Sequence, residues 1–211
     1  MNKYNNLNTN DINFSDFANP SLIHRIKYGG GGRQAIAKAI RIKNKKNLNI
    51  IDATAGLGTD TLVLASLNCQ VYAIERNIKI AYLLKKRLLA AKNHVFLSRF
   101  LKNITIITGD SRSMIPEIIK HNQFIPDVIY LDPMFSTKKK TAAPNKQIQL
   151  LQSIIHEEPC ETELLTICLN YNKSRVVVKR PRISAYLENI KPTFSLIGKA
   201  NRFDIYLPTL K

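Results

Sequence analysis

The run Asp132-Pro133-Met134-Phe135 restricts chemistry more narrowly than any other in this chain. An acidic or amide residue, a proline, any residue and an aromatic suit methylation of an amine attached to a ring. Such a nitrogen is a poor nucleophile because its lone pair is delocalised into the ring. Acceptors held against the amine hydrogens, here Asp132 Oδ and the Pro133 carbonyl, help the nitrogen pyramidalise and aim its lone pair at a methyl donor. Phe135 can stack on a base extruded from its helix or loop, while Pro133 fixes the turn. Taken alone, the same tetrapeptide is equally an ordinary strand-ending turn over a buried phenylalanine.

Three further segments gain meaning beside it. Asp52-Ala-Thr-Ala-Gly56-Leu-Gly58-Thr59-Asp60 offers glycines that let the backbone turn sharply against a ligand, with polar atoms and a helix start facing it. Alone, a Gly-x-Gly turn is just tight geometry. Glu75-Arg76 follows roughly 20 residues later, where a carboxylate can accept hydrogen bonds from both ribose hydroxyls of an adenosyl group. Its plain alternative is a solvated charge. Gly109-Asp110-Ser111 puts short polar side chains where an adenine edge could be met, although the same residues also make a helix cap.

These segments need elements to position them, and the sequence supplies a rhythm. From Ile50 onward apolar runs alternate with amphipathic stretches: NIIDAT and TLVLASL, QVYAIE and IAYLLKKRLLAA, ITIITGD and MIPEIIK, DVIYLD and IQLLQSII, then RVVVKR. Repeated β–α units of this kind predict an α/β fold with a mostly parallel central sheet and helices on both faces. The closing PTFSLIGKA and NRFDIYLP predict an antiparallel strand pair. Each segment named above then falls at the carboxyl end of a strand, where open α/β sheets bind ligands.

Two segments break the rhythm. Gly29 to Gly32 and Arg33 precede an amphipathic basic helix and could cradle a phosphate or a carboxylate, or act as a hinge. Lys138, Lys139 and Lys140 follow the catalytic strand end, and Lys179, Arg180 and Arg182 follow the fifth strand. Both groups are placed to hold a polyanion at the same entrance. Arg25, Lys27, Lys38 and Arg41 join Arg33 as a face for phosphates or for solvent. Residues 1–23, Asn-rich but carrying Tyr4, Ile12, Phe14 and Phe17, predict a weakly ordered arm able to dock, ahead of a single domain over 24–211.

Composition agrees with a nucleic-acid partner without requiring one. Across 211 residues, 32 Lys plus Arg stand against 15 Asp plus Glu, a formal charge of +17. The abundance of Lys, Asn and Ile is also what an AT-rich genome supplies to any protein. Three cysteines without C-x-x-C spacing argue against a disulfide framework or zinc site. The histidines His24, His94, His121 and His156 show no metal-ligand spacing. With no apolar leader and no membrane-length apolar run, the expectation is a cytoplasmic monomer with neither a metal nor a membrane.

The segments YGGGGRQAIAKAI, IIDATAGLGTDTLVLAS, IERN, VIYLDPMF, RVVVKRP and RFDIY resemble, in colinear order over residues 24–207, those of the bacterial 16S ribosomal RNA guanine-N2 methyltransferases of the RsmJ family. The resemblance implies a Rossmann-like class I methyltransferase fold and S-adenosylmethionine as donor. It further implies the exocyclic N2 amine of a guanosine as acceptor, in small-subunit ribosomal RNA or the assembling 30S subunit. It places donor binding at Thr59, Asp60, Glu75, Arg76, Asp110, Ser111 and Asp132, beside Gly56 and Gly58. Thr59 stands where enterobacterial members have Arg, and Asp110 where they have Ser; both retain hydrogen-bonding capacity.

Other readings share parts of this pattern. An amine methyltransferase of the same fold could act on DNA adenine or a protein amide, and the tetrapeptide does not separate them. A nicotinamide oxidoreductase would carry G-x-G-x-x-G, whose third glycine is missing here. A non-catalytic RNA-binding assembly factor would have no need to keep both Asp132-Pro-Met-Phe and Glu75.

Overall fold

The computed structural model describes residues 17, 19–44, 47–121, 124–133, 163–171 and 173–208. Helix α1 (Pro20–Tyr28) starts where Asn19 accepts the Ser21 amide at 2.9 Å and Pro20 occupies the first turn, a position whose missing N–H costs nothing. It crosses residue 23, where the sequence placed the end of the arm. Short α2 (Ala35–Ala39) follows the glycine run.

The sheet then begins: β1 (Asn49–Asp52), α3 (Thr59–Ser66), β2 (Gln70–Glu75), α4 (Ile78–Ala91), α5 (Ser98–Leu101), β3 (Ile104–Thr108), α6 (Ser111–His121) and β4 (Val128–Leu131). After the undescribed stretch come α7 (Leu164–Leu169), β5 (Arg175–Pro181), β6 (Phe194–Ile197) and β7 (Asn201–Tyr206). Among the described residues the strands form one sheet ordered β3-β2-β1-β4-β5-β7-β6. The first five strands are parallel, whereas β7 runs antiparallel to both β5 and β6. Chain order runs outward from β1 to β3 on one side and from β4 to β5 on the other. The switch point, where a crevice opens above the strand ends, therefore lies between β1 and β4.

Strand alternation divides the core between the two faces. Ile50, Tyr130 and Val177 pack with Phe17, Ile36, Leu62 and Leu84 on one side. Ile51, Ile129, Leu131, Val176 and Val178 pack with Ile115 and Leu165 on the other. Buried on both faces, β4 reads as an unbroken apolar run, as central parallel strands do. Phe17 is fully buried, and every residue before it lies outside the described residues. No described helix is long and apolar enough to cross a membrane.

Candidate functional site

The turn after β1 is built from backbone. Ala53 N–H donates to Tyr130 O and Ala55 N–H to Ile74 O, each at 2.9 Å, so the ladder continues past the strand on both sides. Gly58 then adopts φ +77 as the residue before α3. A side chain there would collide with Leu84 and approach Phe17 Cζ to 3.1 Å, so Gly58 serves close packing as well as the turn. At Gly56, φ is +53 and a Cβ would meet nothing within 4 Å, which leaves open space in front of the turn. Arg87 of α4 ties the turn from below, donating to Leu57 O while its guanidinium lies 4.2 Å from the Phe17 ring centroid.

Glu75, at the end of β2, faces that turn. Its Oε2 accepts Gly56 N–H at 2.9 Å and its Oε1 accepts Asn77 N–H at 2.8 Å. Burial pushes its pKa up, against the pull of those two amides and of Arg76. Arg76 itself is exposed, and Thr59 is exposed at the start of α3. Asp110, beyond β3, is held mainly by Arg112, whose Nη2 donates at 2.7 Å and keeps the carboxyl below its ordinary value. Ser111 is buried and donates to Ala53 O at 2.5 Å, joining the start of α6 to the glycine turn.

The β4 side is built from charge. Asp132 N–H donates to Thr54 Oγ1 at 2.6 Å, which pins the end of β4 against the turn after β1. Asp132 Oδ2 lies 2.7 Å from Lys179 Nζ of β5, and the same ammonium lies 2.7 Å from Asp60 Oδ2. Asp60 Oδ1 meets Arg25 Nη1 of α1 at 3.0 Å, and Tyr130 O–H donates to Asp60 Oδ2 at 2.7 Å. A hydroxyl buried as deeply as that of Tyr130 requires such an acceptor. Pro133 is buried beside Asp132.

Two carboxylates thus share one ammonium, and the protonation cost falls unequally. Burial would raise Asp60, but Lys179 and then Arg25 outweigh it and hold Asp60 below its ordinary value. Among the described residues Asp132 has fewer partners: burial raises it, Lys179 opposes, and the Asp60 carboxylate raises it further. With 38 % of its side chain exposed, solvent screens that push, and the Lys179 ion pair favours the charged form of Asp132. Burial would lower Lys179, yet its two carboxylates raise it, so it stays a cation.

A third carboxylate, Asp52, lies under the glycine turn. It accepts Thr61 O–H at 2.6 Å and Thr54 N–H at 3.3 Å. Burial, with Asp60 adding to it and Thr61 opposing, raises its pKa to about 7.

The structure joins Gly56, Glu75, Ser111 and Asp132 through the turn after β1, with Asp110, Arg76 and Thr59 in the same strand-end turns, whereas Gly58 faces Leu84 and Phe17. Asp60 is redirected: it turns inward to Lys179, Arg25 and Tyr130. Lys179, expected at the RNA entrance, instead joins the two carboxylates of the site. Arg180, expected beside it, is buried on the opposite face of β5, with Nη2 on Ala185 O at 2.8 Å, and offers no surface to a phosphate. The two-residue period of a strand already kept Lys179 and Arg180 from sharing a face. Arg33 is exposed after the glycine run, while Arg25 turns to Asp60. Phe135, Lys138, Lys139 and Lys140 lie outside the described residues. Sequence reasoning missed Tyr130, whose signal was a polar atom two residues before Asp132 in an otherwise apolar strand. It named Arg25 only as part of a face for phosphates or solvent, since no local signal pointed to its pairing with Asp60. Among the described residues no group of His, Cys, Asp and Glu is arranged to hold a metal ion.

The family described as "Putative SAM-dependent methyltransferase" matches residues 2–208. Ribosomal RNA small subunit methyltransferase J of Psychromonas ingrahamii is 43% identical over 92% of this chain and 75% of its own length. That of Tolumonas auensis is 39% identical over 92% and 77%. A SAM-dependent methyltransferase from Neisseria gonorrhoeae superposes with TM-score 0.72 at 33% identity, covering 92% of this chain and 73% of its own. The rRNA methyltransferase AviRa of Streptomyces viridochromogenes shares the fold alone, with TM-score 0.55 at 12% identity over 82% of each chain. This chain belongs to the ribosomal RNA small subunit methyltransferase J family of SAM-dependent methyltransferases.

Proposed function

We propose that this protein transfers a methyl group from S-adenosylmethionine to the exocyclic N2 amine of a guanosine in 16S ribosomal RNA, acting as a monomer in the cytoplasm. The observation that carries the reading is Asp132-Pro133 at the end of β4, pinned to the β1 turn and held by Lys179 at the switch-point crevice. The substrate named for the relatives supports small-subunit RNA as the target, and the resemblance to the guanine-N2 enzymes supports the choice of amine.

The residues fit the donor. Open space in front of Gly56, a buried carboxylate at Glu75 and the polar rim of Asp110 and Ser111 suit an adenosyl group. When bound, the donor supplies an electrophilic methyl group on a sulfonium. Glu75 keeps lone pairs for ribose hydroxyls beyond those its two amides use. Asp60 supports the site from behind through Lys179.

At the acceptor, among the described residues Lys179 engages Asp132 Oδ2, and Oδ1 is the oxygen we assign to an amine hydrogen, alongside the Pro133 carbonyl. Both acceptors strengthen as the nitrogen gains positive charge on forming its bond to the methyl carbon, while the carbon–sulfur bond breaks. The nitrogen then gives up its proton to Asp132 and onward to water. Lys179 is a positioning residue here: it fixes the Asp132 rotamer and keeps the carboxylate charged beside Asp60. Lys138, Lys139, Lys140 and Arg33 remain candidates for phosphate contact.

The test is nucleoside mass spectrometry of small-subunit RNA from cells with and without the gene. Loss of one N2-methylguanosine without the gene is expected; an unchanged methylation profile would remove the proposed substrate.

A further inference from the structure

We infer that the segment 182–186 after β5 is a preformed docking platform for RNA flanking the target nucleotide. The inference rests on the reading that small-subunit RNA is the substrate. Two buried arginines hold its backbone. Arg202 Nη1 donates to Arg182 O at 3.0 Å and to Ser184 O at 2.7 Å, and Nη2 donates to Ala185 O at 3.4 Å. Arg180 Nε reaches Ala185 O at 3.1 Å. Arg202 is fixed in turn by Asp204, fully buried and 2.9 Å from Nε, and Ser195 donates to that same carboxylate at 2.5 Å. Arg182 N–H donates to Ala200 O at 3.0 Å, so the segment is also tied to the start of β7.

This framework holds two large apolar side chains toward solvent. Ile183 is 94% exposed and Tyr186 38% exposed, with one side of the Tyr186 ring 4.8 Å from the Arg202 guanidinium. A single exposed isoleucine is unremarkable on any protein surface. Here it stands on a backbone whose carbonyls are taken up by buried guanidinium groups, flanked by exposed Arg182 and Lys199, with no acidic residue in the segment. An aliphatic tip, an aromatic ring and two cations match the chemistry of a nucleic-acid strand: stacking on base faces and neutralisation of phosphates. Ile183 lies only four residues after Lys179, at most about 14 Å along the chain. The platform therefore stands just beyond the carboxyl end of β5, the strand whose Lys179 meets Asp132, on the side toward β7, where RNA flanking an extruded guanine could be held. The buried arginines that shape the platform are structural, and the exposed one, Arg182, meets the partner.

Binding and methyl transfer separate this inference from the functional reading. RNA purified from cells lacking the gene would be titrated in filter binding against the wild-type protein, Ile183→Ser and Arg182→Ala. Both substituted side chains are exposed, so thermal unfolding and S-adenosylmethionine binding stay at wild-type values. We expect each variant to bind RNA at least five-fold more weakly. Arg182→Ala should also flatten the salt dependence by about 0.7–0.9 in log–log slope, and Ile183→Ser should leave that slope unchanged. RNA affinity within two-fold of wild type in both variants would overturn the platform. So would a change in oligomeric state by sedimentation in Ile183→Ser without loss of RNA affinity, since the surface would then join copies of this chain. If the variants lose RNA binding but the wild type transfers no methyl group, the platform stands and the functional reading falls.

Discussion

The two halves of the crevice are built by different means. On the β1–β2–β3 side, carboxylate and hydroxyl groups engage backbone: Glu75 accepts two amides, and Ser111 donates to Ala53 O. On the β4–β5 side, charged side chains engage one another: Asp132, Lys179, Asp60 and Arg25 form a chain of ion pairs, and the Tyr130 hydroxyl donates to Asp60. The first arrangement makes a rigid cradle of fixed shape. The second sets where a charge sits and how strongly it is held, which is what an amine gaining positive charge responds to. On the proposed reading, the first half binds the donor and the second serves the reaction.

The strongest break in that comparison is Asp132→Ala. Losing an acceptor that strengthens toward the transition state should lower single-turnover methyl transfer by roughly two orders of magnitude or more, with RNA affinity little changed. Asp132→Asn keeps an acceptor oxygen and should retain more activity than the alanine variant.

Lys179→Met should cost less, on the order of ten-fold in rate at neutral pH. Its distinguishing readout is the pH profile. Removing the ammonium leaves burial and the Asp60 carboxylate to raise Asp132 further. A smaller fraction is then ionised at any given pH, so the acid limb of the rate profile moves to higher pH. Lys179→Arg should move it back. A purely structural lysine would lower the rate without displacing the limb.

Glu75→Gln sharpens the contrast from the other side. It retains one acceptor for the turn but removes the charge that favours ribose hydroxyls, weakening donor binding by roughly 1–2 kcal/mol in calorimetry. The saturated rate should stay close to wild type.

Asp52→Asn should leave both functions closest to normal and change stability instead. Because burial raises the folded-state pKa of Asp52 to about 7, the folded protein holds a proton there that the unfolded chain releases near pH 4. Stability from this group is therefore present at low pH and lost as pH rises from about 4 through about 7. Denaturant unfolding across that window should fall less steeply for the asparagine variant than for wild type.

The same division explains what the sequence made legible. The glycine turn, Glu75 and Asp132-Pro133 were recognisable because each depends on a local order of strand, turn and helix. The parallel sheet and the closing antiparallel pair were recognisable from apolar periodicity. Lys179 was misassigned because its partners lie 119 and 47 residues away, and Arg25 because Asp60 lies 35 residues on. No local pattern records which charges meet across a crevice. Arg180 was misassigned for a different reason: proximity to Lys179 in sequence outweighed strand alternation, which puts neighbouring residues on opposite faces.

The most direct test of a crevice divided between binding and reaction is a paired measurement on Glu75→Gln and Asp132→Asn. Donor affinity would be taken by calorimetry, and single-turnover methyl transfer to unmethylated small-subunit RNA would be followed with both substrates saturating. The division predicts weakened donor binding with a near-normal saturated rate for Glu75→Gln, and near-normal donor binding with a depressed rate for Asp132→Asn. Equal losses of affinity and of saturated rate in both variants would contradict it.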